Sequence, residues 1–120
     1  MHELAVCQAL IEQVERVARQ NDARRVLSIV ITVGPLSGVE PQLLEHAYPL
    51  AAAGTIAEHA SLVVETVPVQ VRCRACGAET EVGPNRLVCG ACGDWQVDVT
   101  GGEEMLLRRV EIETEPAGVH

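Results

Sequence analysis

Two Cys-x-x-Cys pairs, Cys73/Cys76 and Cys89/Cys92, with twelve residues between them, constrain this chain more than any other feature. Each tight turn can aim two thiolates at one point, and two such turns facing each other build a tetrahedral all-sulfur metal site. Zinc suits that donor set; iron is the main competitor, because four cysteines also hold iron, and a pair of disulfides is the third alternative. Nothing in the sequence points to export, and a reducing compartment keeps thiols free for metal. Gly77 and Gly93 directly follow the second cysteine of each pair, where positive φ is expected and would turn backbone N–H groups towards the sulfurs. Four thiolates fill every position around a tetrahedral ion, so this site is expected to be a structural staple and not a catalyst.

The rest of the composition makes a staple useful. The chain has 120 residues, enough for one small domain carrying an insert, and aromatics are only 2%, so aliphatic side chains must form the core. The formal charge is −8 and all nine basic residues are arginine. That balance repels phosphate-rich partners, and Arg72, Arg74 and Arg86 are the only candidates for a local basic patch, so no nucleic-acid partner is expected. No apolar run approaches the ~20 residues of a membrane span, and the N-terminus has neither a basic region nor a cleavage site. A cytoplasmic protein without a membrane partner is expected. His2 is too large to favour removal of the initiator, so the mature chain is expected to begin Met1-His2-Glu3.

Apolar residues Leu4, Cys7, Leu10, Ile11, Val14, Val17 and Ala18 fall on one stripe and predict an amphipathic helix to about Gln20, with Cys7 as a small core residue. Arg25 to Val33 is a β-branched run and predicts a central strand. Gly34-Pro35 ends it. Pro41 opens a second helix to about Tyr48, with Pro49 kinking or dividing it before an alanine run stops at Gly54. A second strand is expected over 61–71, with Pro68 forcing a bulge or an exposed edge, and a third over 105–113 with Leu106, Val110 and Ile112 on one face. The predicted fold class is α+β: a small three-stranded sheet with two helices on one face, plus an inserted zinc-ribbon-like lobe. The expected domains are 1–70 with 100–114, a zinc-binding insert at 71–99, and a flexible tail at 115–120.

The first residues offer a second metal site. The amine of Met1, the amide nitrogen of His2 and its imidazole can close adjacent five- and six-membered chelate rings, and Glu3 can add a carboxylate or amide donor. Three nitrogens in one plane suit nickel(II) or copper(II) better than zinc. Binding requires these groups to lose protons, so affinity is expected to fall as pH drops through roughly 7 to 6, near the reference histidine pKa. His46 and His59 read as helix- or loop-surface residues, and His120 belongs to a loose end.

Met1-His2-Glu3-Leu4 opening an amphipathic helix, the segments ITVGPLSGVEPQLL and AAGTIAEHASL, and the doubled cysteine pairs together resemble the HypA/HybF family of hydrogenase maturation factors, over the chain to about Glu113. The resemblance implies a small nickel-binding α/β domain with a zinc lobe. It implies a non-enzymatic carrier that holds nickel as cargo and passes it, with the GTPase HypB, to the large subunit of [NiFe]-hydrogenase. Carried over by position, His2 is the nickel ligand, Met1 and Glu3 contribute further donors, and Cys73, Cys76, Cys89 and Cys92 hold zinc. The chain departs from the family pattern at Pro35, where an acidic residue is common, and at His46-Ala47-Tyr48, where phenylalanine is usual; its zinc lobe also lacks the histidine that some relatives offer to nickel.

Two other classes fit the cysteines alone. One is a zinc-ribbon interaction module for nucleic acid or a transcription complex, disfavoured by the charge and the scarcity of stacking aromatics. The other is a rubredoxin-like electron carrier, which would be coloured by its iron.

Overall fold

A computed structural model of the chain describes residues 2–114, His2 through its backbone only. The expected tail at 115–120 and its His120 lie outside the described residues. The elements run α1 (His2–Gln20), β1 (Ala23–Val33), α2 (Pro41–Ala52), β2 (Ser61–Thr66), β3 (Val69–Cys73), β4 (Glu79–Val82), β5 (Val97–Gly101) and β6 (Met105–Thr114). They form two three-stranded sheets, ordered β2-β1-β6 and β4-β3-β5. Two helices, one small sheet and a second, cysteine-bearing sheet make the α+β class that the sequence predicts.

Backbone contacts divide the described residues into two units. One takes 2–31, 40–64 and 107–114; the other takes Thr32–Val39 and Glu65–Leu106. In the first, α1 and α2 pack together. The stripe read from the sequence is the buried one: Cys7, Leu10, Ile11, Val14 and Ala18 are all 3% exposed or less, and α2 adds Leu44, Tyr48 and Ala52. Val26, Ile29 and Ile31 of β1 complete the aliphatic core, each such side chain stabilising the fold by about 1.5–3 kcal/mol. The Cys7 thiol donates to the Leu44 carbonyl at 3.4 Å, which ties the helices together and makes this cysteine a packing residue. Burial pushes its pKa up, and the nearby Glu3 charge adds to the effect.

Helix ends follow local chemistry. Asn21 caps α1 by donating from Nδ2 to the Val17 carbonyl at 2.8 Å, and Asp22 then takes a left-handed φ of 51°. Pro41 occupies the first turn of α2, where a missing N–H costs nothing. Pro49 neither ends nor divides α2, which continues to Ala52. Beyond it the Thr55 hydroxyl donates to the Ala52 carbonyl at 2.7 Å and accepts from the Ala57 N–H. Tyr48, where the family pattern has phenylalanine nearby, finds its own partner: its hydroxyl donates to the Ala57 carbonyl at 2.9 Å. Burial, then the neighbouring Cys7, pushes its pKa up to about 12.

The expected single strand at 61–71 is two strands in two different sheets. Pro68 cannot donate to a ladder, so β2 stops at Thr66 and β3 begins at Val69. In β3 Val69, Val71 and Cys73 are buried while Gln70 and Arg72 face out, a clean two-residue alternation. β3 is the centre of its sheet, pairing antiparallel with β4 (Val71 opposite Thr80) and with β5 (Arg72 opposite Asp98). On β6 Leu106 is 50% exposed, so the predicted inward face is made by Val110 and Ile112 without it.

Candidate metal centre

β3 delivers Cys73 to the centre at its last residue, and the turn after it brings Cys76; a second turn carries Cys89 and Cys92. The two turns are near copies. The amides of Ala75 and Cys76 both donate to Cys73 Sγ at 3.3 Å, and those of Ala91 and Cys92 donate to Cys89 Sγ at 3.3 and 3.4 Å. Gly77 and Gly93 take φ of 77° and 80°, the left-handed conformation that the sequence suggests. Their own N–H groups bond the carbonyls of Cys73 and Cys89, at 3.0 and 2.9 Å, and not the sulfurs. The glycines therefore close each turn while the two residues before them solvate the thiolate. The Cys-x-x-Cys-Gly repeat is the only sequence signal for those donors.

The four Sγ atoms lie within 4.8 Å of one another, with Cys73–Cys92 and Cys76–Cys89 both at 3.7 Å. Bonds of ~2.3 Å from a tetrahedral ion require sulfur–sulfur separations of about 3.8 Å, which those two pairs match, so the cage is of the size that one zinc ion needs. Cys73 and Cys89 are buried; Cys76 and Cys92 are exposed. The electrostatics also call for a cation. Amide donors from Cys92 and Ala91 lower Cys89 to about 6. Cys92 is pushed up to about 12: the Asp94 amide pulls its pKa down, but crowding by the Cys73, Cys76 and Cys89 sulfurs and burial outweigh it. Four thiols this close cannot all ionise unless a metal takes the charge.

Around the cage, Arg74 reaches Asp98 through Nε and Nη2 at 3.1 and 2.6 Å, and the Gly90 amide donates to Thr80 Oγ1 at 2.9 Å. Arg74, one residue beyond β3, is thereby paired with Asp98 of β5, which offsets its charge in the basic patch weighed above. Among the described residues the four cysteines are the only cluster of three or more metal-ligating side chains. Glu3 lies half-buried in the first turn of α1. Met1 and the side chain of His2, two of the three residues of the N-terminal chelate, lie outside the described residues. His46 and His59 are exposed, His59 lying 3.8 Å from Glu58.

The family model for HypA, described as hydrogenase/urease nickel incorporation, metallochaperone, matches residues 1–112. The chain belongs to the HypA family. The hydrogenase maturation factor HypA of Nitrosospira multiformis is 50% identical over 114 residues, covering 95% of this chain and 99% of that protein. The HypA of Aquifex aeolicus is 37% identical over 115 residues, with 96% and 100% covered. A solution structure of the Ni metallochaperone HypA from Helicobacter pylori aligns with a TM-score of 0.70 at 25% identity, covering 94% of this chain and 98% of that one. A second HypA solution structure gives 0.72 at 26% identity, covering 96% and 98%. HypA membership makes nickel incorporation and hydrogenase maturation the functional setting of the four-cysteine cage.

Proposed function

We propose that this chain is a non-enzymatic nickel carrier of the cytoplasm, in which a zinc ion held by Cys73, Cys76, Cys89 and Cys92 is structural and nickel at the N-terminus is cargo. His2 supplies imidazole and amide nitrogens, Met1 its amine, and Glu3 an amide or carboxylate. The metal passes, together with a HypB-like GTPase, to the large subunit of a [NiFe]-hydrogenase. The nickel-binding part is residues 1–70 with 100–114, and the zinc-binding part is 71–99.

The observation that carries this reading is the family match from residue 1, which includes Met1-His2-Glu3, in a chain whose clustered thiols suit a closed site. The helical backbone supports it. α1 begins at His2, and the first four amides of a helix have no intrahelical acceptor, so replacing the His2 or Glu3 amide proton by a metal, with the proton lost to solvent, breaks no helical hydrogen bond. Release then needs only stepwise exchange of weakly constrained ligands at a partner surface, with no covalent chemistry.

Isothermal titration of the zinc-loaded protein with nickel tests the assignment. His2→Ala is expected to lose at least roughly 100-fold in nickel affinity while retaining one zinc per chain. Unchanged nickel binding in that variant would place the cargo site elsewhere.

A further inference from the structure

β6 is an edge strand. Its sheet is ordered β2-β1-β6, so along residues 107–114 one backbone edge has no strand partner among the described residues. A free edge is a template for another strand, and its side chains decide whether and with what it pairs.

Here the order of charges is self-complementary. Arg108 and Arg109 precede Val110, and Glu111 and Glu113 follow it. Reversing the strand about Val110 sets Arg109 opposite Glu111 of a second copy, and Glu111 opposite that copy's Arg109. Opposite charges directly across an antiparallel pair stabilise it, and like charges oppose it. Centring the pairing on Arg109 or on Glu111 instead would set two like charges face to face on the axis. Val110 alone puts an apolar pair there with both ion pairs formed, and such an isologous contact is closed by its own symmetry.

The acids are already held in place and the bases are free. Glu113 is bonded by Arg25, with Nε to Oε1 at 2.8 Å, and Glu111 accepts from the Ser28 hydroxyl. Both bonds run from a β1 donor to a β6 carboxylate, which fixes the acids against β1. Arg108 and Arg109 are exposed and form no ion pair within 4.0 Å among the described residues. Glu111 keeps an acceptor oxygen for a second donor. Because the chain carries a net charge of −8, copies repel each other at a distance, and only a local match of this kind favours contact.

We propose that β6 pairs antiparallel with β6 of a second copy about a two-fold axis at Val110, joining two three-stranded sheets into one of six strands.

Sedimentation velocity on the zinc-loaded full chain, from about 5 to about 500 µM and without nickel, tests this. A concentration-dependent dimer is expected, with R109E and E111R each raising its dissociation constant at least about tenfold. An equimolar mixture of R109E and E111R is expected to form a heterodimer within about threefold of the parent affinity, since each introduced charge then faces its opposite. That rescue separates a lost contact from a lost fold. Mild oxidation is expected to link V110C chains into disulfide dimers but not L43C chains, Leu43 being exposed on α2. A chain that stays monomeric throughout, or a dimer that R109E leaves unchanged, overturns the proposal.

Discussion

Gly34 and Gly102 meet backbone to backbone: a Cβ built on Gly34 would lie 2.2 Å from the Gly102 carbonyl oxygen. The approach is fixed on either side, by the Gly34 N–H donating to the Glu104 carbonyl at 2.9 Å and the Leu36 N–H donating to the Gly102 carbonyl at 2.8 Å. Gly102 itself sits at φ 98°, open only to glycine. Gly34→Ala therefore forces two backbones apart. It is expected to destabilise the zinc-loaded protein by about 3 kcal/mol, seen as a lower urea midpoint with unchanged slope.

The proposed zinc site would organise the second sheet, because Cys73 is both one of its four thiols and the last residue of β3. Cys76→Ser, or a strong chelator, is expected to remove the bound zinc and broaden the amide resonances of β3, β4 and β5. Resonances of α1, whose core is Leu10, Val14 and Ala18, should persist. Equal loss in both regions would show that the ion supports the whole chain.

Tyr48 is the only tyrosine, so its titration can be read directly from tyrosinate absorbance. Its folded pKa is raised, to about 12 from 10.0. A raised folded pKa contributes stability below the unfolded value and loses it as pH climbs towards the folded one. Stability is thus expected to fall between pH 10 and 12, and Tyr48→Phe should flatten that slope. The same substitution deletes the bond to the Ala57 carbonyl and should cost about 1 kcal/mol at neutral pH.

The exposed pair Arg74–Asp98 behaves in the opposite sense. Hydrogen bonding from Arg74 holds the Asp98 carboxyl below its usual range. Its contribution is present above the unfolded carboxylate pKa and is lost as pH falls through the lowered folded value. Asp98→Asn should remove that acid-side dependence while leaving zinc content unchanged, measured by thermal unfolding from pH 6 down to about 3.

How much of this was legible in the residues depends on the kind of signal each element sends. The α1 stripe and the β1 run are long and strongly periodic, and both elements lie where the pattern puts them. The cysteine spacing gave the cage, and the glycines after it gave the turn conformation. What escaped was local. Pro68 was legible as a break in hydrogen bonding, but not as the point where a chain changes sheet, because that depends on which strands wait on either side. The four residues Glu79–Val82 are too short and too polar to announce β4. Backbone donors to the sulfurs were legible from the glycines, but not which amides supply them: those of Ala75, Cys76, Ala91 and Cys92 do, through backbone atoms that side-chain identity does not mark. Pro49 read as a kink or a division of the helix, yet α2 runs through it to Ala52, because packing of Leu44, Tyr48 and Ala52 outweighs one missing backbone bond.

The uneven setting of the four sulfurs has a kinetic meaning. With Cys73 and Cys89 sealed inside and Cys76 and Cys92 facing water, a zinc ion held as proposed would have a dry side and a wet side. Oxidants, competing ligands and protons all arrive at the wet side. Loss of metal from the proposed site is therefore expected to begin at the second cysteine of each pair, with the first cysteines, each cradled by two amides, the last to let go.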